Sequence, residues 1–326
     1  SFPTRRSSDL PRIAMYFDTS IDELLGLGEE KIRADIEEWK EQSKKLFFKG
    51  NIDANYDIWS EAYKKYPNNL DVIENYMIAV WYVFLENRKK ELAEKVIELG
   101  KEILDRSTNT SQRESAFQIL TYAYSDIGDY ENAKKHAEMG GTIYTSRMEL
   151  MKAALKGEEQ IKHFQEMVNT FTEELADAAR MLAEFDKEYS TEEKIEIFKF
   201  ALDLFLTVYK EDTSGFHYTR MSQIASDIAR HYASLKDRES TLKYLADAAE
   251  YSKTYDKYVL KLEKGEAYKF KSLMLNRLND AKIISKNHMD NDCACRLRSF
   301  GYKCYDFLRD DPEFQRIKEE LEKNAK

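Results

Sequence analysis

Helix breakers are scarce in this chain. Four prolines and eleven glycines among 326 residues leave few points at which a helix must stop, so long helices are expected. Cysteine is scarcer still: the three present all fall between positions 293 and 304. An odd number gathered near one end does not make a disulfide framework, and a reducing cytoplasm suits that usage. No stretch approaches the ~20 apolar residues that span a bilayer, and mean hydropathy is -0.67, so a soluble chain without a membrane segment is expected. Positive charge is in deficit, with a net charge of -9. Such a balance argues against this polypeptide gripping a nucleic-acid backbone by itself, since that requires clustered Lys and Arg.

Catalytic signatures are missing too. There is no G-x-S-x-G, no G-x(4)-G-K-[ST], no G-x-G-x-x-G after a strand and no H-E-x-x-H. His136, His163, His217 and His231 fall in separate helices or turns, where surface or packing roles are expected of them. Carboxylate-rich stretches such as EELEK and STEEKIE sit on polar helix faces and read as solvated. Neither enzyme activity nor a cofactor is therefore expected.

What is present begins oddly, with SFPTRRSSDL. Arg5 and Arg6 are followed by Ser7, Ser8 and Asp9 rather than by an apolar run, so this is no secretory signal. It back-translates consistently as TCT TTC CCT ACA CGA CGC TCT TCC GAT CT(N), which resembles the end of a short-read sequencing adapter. Residues 1–10 are accordingly set aside from fold reasoning, and the native sequence is expected to enter near Pro11.

Residues 11–26, PRIAMYFDTSIDELLG, carry Ile13, Ala14, Phe17, Ile21, Leu24 and Leu25 at helical spacing, interrupted by Asp18-Thr19-Ser20. Ser20 and Glu23 form a capping-box pattern, and Gly26 can close a short helix over Ile21 to Leu25. One helix should end near Phe17 and a second follow it. This pattern resembles the last two helices of the Xre/lambda-repressor-like helix-turn-helix domain, over about 16 residues; a generic helical hairpin is the other reading. The resemblance implies that residues 11–28 are the remnant of a DNA-binding domain whose turn and reading helix lie upstream.

Further on, the chain resembles tetratricopeptide repeats, whose unit is a 34-residue helical hairpin. Residues 114–147 carry the pattern most clearly, through Phe117, Leu120, Tyr124, Gly128, Asp129, Tyr130, Ala133 and Gly140, with a capping box at Ser111 and Glu114 ahead of them. Residues 36–69 match through Trp39, Gly50, Trp59, Ala62 and the closing Pro67-Asn68-Asn69. Residues 222–255 match through Ala225, Ile228, Ala229, Tyr232, Leu245 and Ala248, with LKDRE as the turn. Small residues at Ala62, Ala133, Gly140 and Ala248 should let helices approach. Between these, residues 70–106 read as another pair, 147–212 as two long helices split by a capping box at Ser190 and Glu193, and 256–289 as a further pair. Asp311-Pro312 should cap a terminal amphipathic helix. The expected fold is all-α, a right-handed α-solenoid over residues 29–326 with no clean break inside it.

The resemblance also implies a binding surface, because the first helix of each tetratricopeptide unit lines a concave groove. Carried over, those positions fall on Lys40, Phe47 and Phe48; on Asn75, Trp81 and Tyr82; on Gln118, Tyr122 and Ser125; and on Gln223 and Arg230. Amides can satisfy the backbone of an extended peptide and rings can accept its apolar side chains. Packing against neighbouring helices is an equal reading for Phe47, Trp81 and Tyr82. One further cluster gathers metal-ligand types: His288, Cys293, Cys295 and Cys304. A lone C-x-C followed by a single Cys is not the paired-arm spacing of structural zinc, and on a helix Cys293 and Cys295 point roughly 200° apart. No metal is expected there.

Together the two resemblances imply a bacterial transcription regulator in which helical repeats sense a ligand, often a short peptide, and control dimeric DNA-reading domains. On that expectation the chain is a cytoplasmic fragment that senses its ligand and forms a homodimer, with DNA contacted only through the missing N-terminal part. The alternative is a protein-interaction adaptor with no role at DNA, in which residues 11–26 are an N-terminal cap.

Overall fold

The computed structural model describes residues 10–16, 27–209, 217–264, 270–278 and 291–326. Among these residues the regular structure is all helical, with fourteen α-helices, two short 3-10 segments and no strand. The fold is all-α, as the scarcity of breakers implies. The described residues divide between Gly141 and Thr142 into two compact units, whereas the repeat pattern alone carries 29–326 as one run.

The first unit opens with α1 (Leu10–Tyr16), which covers the first of the two N-terminal helices; the proposed second helix, with Ser20, Glu23 and Gly26, lies outside the described residues. Then come α2 (Leu27–Phe48), α3 (Ile52–Lys65), α4 (Leu70–Asn87), α5 (Lys90–Arg106), α6 (Thr110–Asp126) and α7 (Tyr130–Ala137). Each helix from α2 onward packs on the next, and the short connections make these neighbours antiparallel hairpins, solenoid-like within the unit. Turn chemistry explains the boundaries. Gly50 and Gly128 take the left-handed conformation (φ 70° and 82°) that a Cβ disfavours. The side chains of Asn51, Asn69 and Asp129 accept backbone N–H bonds at the starts of α3, α4 and α7.

Three expectations are corrected in this unit. The start of α6 is capped by Asn109, which accepts from the Ser111 N–H at 2.9 Å, so Ser111 lies inside the helix and makes no capping box with Glu114. The buried Ser107 hydroxyl donates to Gln112 Oε1 at 2.6 Å and anchors that earlier start. Helix α7 stops at Ala137, well short of residue 147, and Gly140 lies beyond it in a turn with no neighbouring helix against it. The close approach is made instead at Gly100 on α5, where a Cβ would come within 2.8 Å of Leu120 on α6. Ala62 and Ala133 are buried at helix contacts as expected. The core centres on Trp59, Ile73, Met77, Leu99 and Ile103; Trp59 Nε1 donates to Ser43 Oγ at 2.9 Å and that hydroxyl donates to Asn55 Oδ1 at 2.6 Å, so the indole is buried with its polar atom satisfied.

The second unit contains a 3-10 segment (Ile143–Thr145), α8 (Arg147–Ala154), α9 (Gly157–Phe185), α10 (Thr191–Val208), α11 (Tyr218–Ser234), α12 (Arg238–Glu263), α13 (Asp292–Ser299), a second 3-10 segment (Lys303–Leu308) and α14 (Pro312–Asn324). The two long helices expected over 147–212 are three, because the chain turns extended at Leu155 and Lys156 and takes φ 61° at Gly157. The capping box at the start of α10 is present in both arms: Glu193 N–H donates to Ser190 Oγ at 3.2 Å and Ser190 N–H to Glu193 Oε2 at 2.7 Å.

No separate pair occupies 256–289 among the described residues. Helix α12 continues through Glu263, and residues 270–278 form turns. Those turns are held by Gln165 on α9, whose Nε2 donates to Leu273 O and Asn276 Oδ1 while its Oε1 accepts from Arg277 N–H at 2.6 Å. Phe270 and Leu275 are buried beside α9 to α11. At the end, Asp311 caps α14 with Pro312 in its first turn, and Phe314, Ile317 and Leu321 are buried.

Candidate functional site

The candidate surface is the face of the first helices of successive hairpins, because two reversals of the chain return it to its starting direction and lay those helices parallel. In the first unit they are α2, α4 and α6. Their cross-contacts march in step: Lys40 is electrostatically coupled to Glu74, and Phe47 meets Tyr82 edge-on at 4.9 Å. Between α4 and α6, Gln112 Nε2 donates to Asp71 Oδ1 at 2.7 Å, Ser115 is hydrogen-bonded to Glu74, and Trp81 stacks on Tyr122 at 6.3 Å between centroids. From Phe47 to Tyr82 is a step of about 35 residues, close to the tetratricopeptide period; the next step is 41 residues.

This arrangement sorts the sequence-derived residues. Tyr122 is 48% exposed, and Gln118 and Ser125 are exposed beside it on α6. Tyr82 and Phe47 are half-buried against each other, and burial pushes the Tyr82 hydroxyl above its ordinary pKa. Lys40 is half-exposed and pairs with Glu37 on its own helix at 3.1 Å. Of Phe48 only the backbone is described. Two residues are corrected. Trp81 is 6% exposed and belongs to the core, packed between Phe84 and Tyr122. Asn75 turns its amide back to its own helix, donating to Asp71 O at 2.7 Å. A residue that the sequence reading missed stands among them. Glu74 is half-buried, and burial raises its carboxyl pKa against the opposing pulls of Ser115 and Lys40.

In the second unit the corresponding helices are α9 and α11, and their seam is ionic. Arg180 bridges Asp177 at 3.1 Å and Asp227 at 3.0 Å, Arg220 approaches Asp177 at 3.5 Å, and Arg230 pairs with Glu184 at 2.8 Å and Asp227 at 3.4 Å. Glu184 is held below the usual carboxylate range by the Arg230 hydrogen bond. Arg230, expected to face a ligand, is thus engaged between two carboxylates. Gln223, on the same helix, is half-buried. At the top of the seam His217 Nδ1 lies 3.6 Å from Glu173. Burial pushes the His217 pKa well down and that of Glu173 up, the opposite of what an ion pair does. Desolvation therefore wins, and His217 is a neutral ring packed on Tyr209, Phe205 and Phe270. The other described histidines are packing residues as well: His136 and His163 are buried with ring nitrogens on Asn132 O and Met148 O, both at 2.7 Å, and His231 is half-buried against Phe198.

The cysteine cluster is not brought together as a ligand set. His288 lies outside the described residues. Cys293 is wholly buried and Cys295 and Cys304 are half-buried; burial pushes the Cys293 and Cys304 thiols up, away from thiolate. No group of three or more His, Cys, Asp or Glu suited to a metal occurs among the described residues. Beside Cys293 is a polar knot that no motif announced. The buried Asp292 carboxylate accepts from Thr219 Oγ1 (2.7 Å), Ser222 Oγ (2.7 Å) and Ser252 Oγ (2.6 Å). Asp256 accepts the backbone N–H groups of Asp292 and Cys293 at 2.9 and 3.0 Å. These bonds tie α11, α12 and the start of α13, and every partner is satisfied within the fold, which makes the knot structural.

No protein-family model matches the chain, and neither a curated protein nor a solved structure matches it significantly. What the fold defines is an all-α protein of stacked helical hairpins. No helix among the described residues is long and apolar enough to cross a membrane.

Proposed function

We propose that the chain binds a short peptide or an extended protein segment along the α2–α4–α6 face, as the sensing part of a cytoplasmic transcription regulator. The observation that carries the binding is the set of open and half-open groups on three parallel helices: Lys40, Phe47, Tyr82, Gln118 and Tyr122. Rings flanked by an amide and a cation suit a peptide of mixed character. The α9–α11 seam offers less, since its charges already satisfy one another. The role at DNA rests on the likeness of residues 11–26 to the end of a helix-turn-helix domain; the reading helix would be encoded upstream. A ligand would act by favouring one arrangement of the repeats, and so one half-site spacing, over another.

Two experiments test the two parts. Fluorescence polarisation against a pool of labelled, unstructured peptides of varied sequence should yield binders, and Gln118→Ala with Tyr122→Ala should weaken them about tenfold, the ~1.4 kcal/mol of one good contact, with an unchanged circular dichroism spectrum. A pool with no binder, or binders indifferent to both substitutions, overturns the surface. Genomic sequence across codon 11 tests the regulator: an in-frame helix-turn-helix supports it, and a start codon near Pro11 with no such domain overturns it. In that second case the same surface is left to a protein-interaction adaptor.

A further inference from the structure

Helix α9 carries a second pattern, on the side away from its ionic seam. Ile161, Phe164, Val168, Phe171, Leu175, Ala178, Leu182 and Phe185 recur at alternating intervals of three and four, the spacing of a two-helix seam sustained for more than three heptads. At 100° per residue these positions form one stripe, and Glu173, Asp177, Arg180 and Glu184 lie roughly opposite. The buried residues of α9 are others, among them Met167, Thr172, Ala176 and Ala183. The stripe itself is open: its six large members, Val168 and Ala178 apart, are 37 to 74% exposed. A continuous apolar face of this length is not a scatter of single surface residues.

We propose that this stripe pairs with the same stripe of a second copy of the chain, antiparallel, about a two-fold axis level with residue 173. Three observations choose that occupant. The spacing is its own mirror about 173, so that Ile161 meets the second copy's Phe185, Phe164 its Leu182, Val168 its Ala178 and Phe171 its Leu175. All four pairs set a larger side chain against a smaller one, and a two-fold axis repeats each pair on its other side. The area is sufficient. Each copy offers on the order of 500 Å² of apolar surface at these exposures, and two copies reach the roughly 1,000 Å² that a specific interface needs. The charges disfavour a membrane as the alternative, because α9 carries Glu158, Glu159, Glu166, Glu173, Glu174, Asp177 and Glu184 against Lys162 and Arg180, and an acidic helix is repelled by anionic lipid. The pairing stands on α9 alone and does not depend on the peptide-binding reading.

Sedimentation of the full chain over a concentration series tests it. A dimer is expected, and Phe171→Glu with Leu175→Glu should return it to monomer with an unchanged circular dichroism spectrum, since both side chains are already exposed. A chain that is monomeric at tens of micromolar, or a dimer that survives the double substitution, overturns the proposal. A second pair of variants fixes the direction. Residues 164 and 182 are about 27 Å apart along one helix, so Phe164→Cys with Leu182→Cys cannot close within a chain and should give a covalent dimer on oxidation. Phe164→Cys alone should not. Cross-linking by that single variant would mean a parallel pairing and would overturn the antiparallel one.

Discussion

The two parallel-helix seams do the same geometric task with different chemistry. In the first unit α2, α4 and α6 are held by rings and half-buried polar pairs, Phe47 on Tyr82 and Trp81 on Tyr122. In the second, α9 and α11 are held by arginines laid between carboxylates. The step between partners differs as well, about 35 and then 41 residues in the first unit but about 43 to 47 across the ionic seam. Short side chains and rings need close register, whereas an arginine can reach across a looser one. The aromatic seam thereby leaves ring faces open at its edge, whereas the ionic seam has Arg180 and Arg230 paired with carboxylates although the buried Nε of each lacks a hydrogen bond. That contrast is the physical reason for placing ligand binding on the first unit.

The largest expected effect comes from Trp81→Ala, which removes the buried ring from the aromatic seam. Loss of its packing should cost about 3–5 kcal/mol, read as a lower denaturation midpoint and as faster amide exchange across α4 and α6. If exchange across α9 and α11 accelerates equally, the two seams do not act independently, and their contrast is one of chemistry only. Arg180→Met should come next. The arginine side chain is 10% exposed, but Asp177 and Asp227 keep partial contact with water at 33% and 21%. The loss should therefore fall below the 3–5 kcal/mol of a fully buried pair, at about 2 kcal/mol, and raised salt should shrink the difference between wild type and variant. An effect as large as that of Trp81→Ala would mean that the ionic seam is the stiffer of the two.

Particular residues mark how far the sequence could be read. The hairpins at 36–69, 70–106 and 222–255 were legible because Gly50, Asn69 and the LKDRE turn fix local geometry that needs no knowledge of neighbours. Ser190 and Glu193 were legible for the same reason. Gly140 misled, since the tetratricopeptide pattern assigns a small residue there while the tight contact falls at Gly100, set by how α5 meets α6. Arg230 misled in a related way. Its partner Glu184 is 46 residues away, and a 34-residue template cannot predict which carboxylate a longer step brings opposite. Asp292 was invisible for a stronger reason, because its three hydroxyl donors come from two helices whose register no local pattern records.

Proton linkage gives the smallest effect, and His217 at the ionic seam is where it can be isolated. His217 is buried, and burial holds its folded pKa well below the ordinary histidine value of about 6.5. The unfolded chain therefore binds a proton that the folded chain refuses once pH falls below about 6.5, and stability should decline on acidification across that interval, by at most ~1.4 kcal/mol per pH unit for one group. Glu173, raised by burial, acts in the opposite sense: the folded state takes up its proton earlier than the unfolded one, so acidification through the raised value relieves a cost. The two contributions partly cancel where they overlap. His217→Phe keeps a ring among Tyr209, Phe205 and Phe270 and removes the titrating nitrogens, so urea midpoints measured between pH 7 and pH 5 should fall less steeply than in wild type. An equal fall in both proteins would assign the acid sensitivity in this interval to His231, whose pKa burial also lowers; Glu184, held below the usual carboxylate range, gives up its contribution only at lower pH.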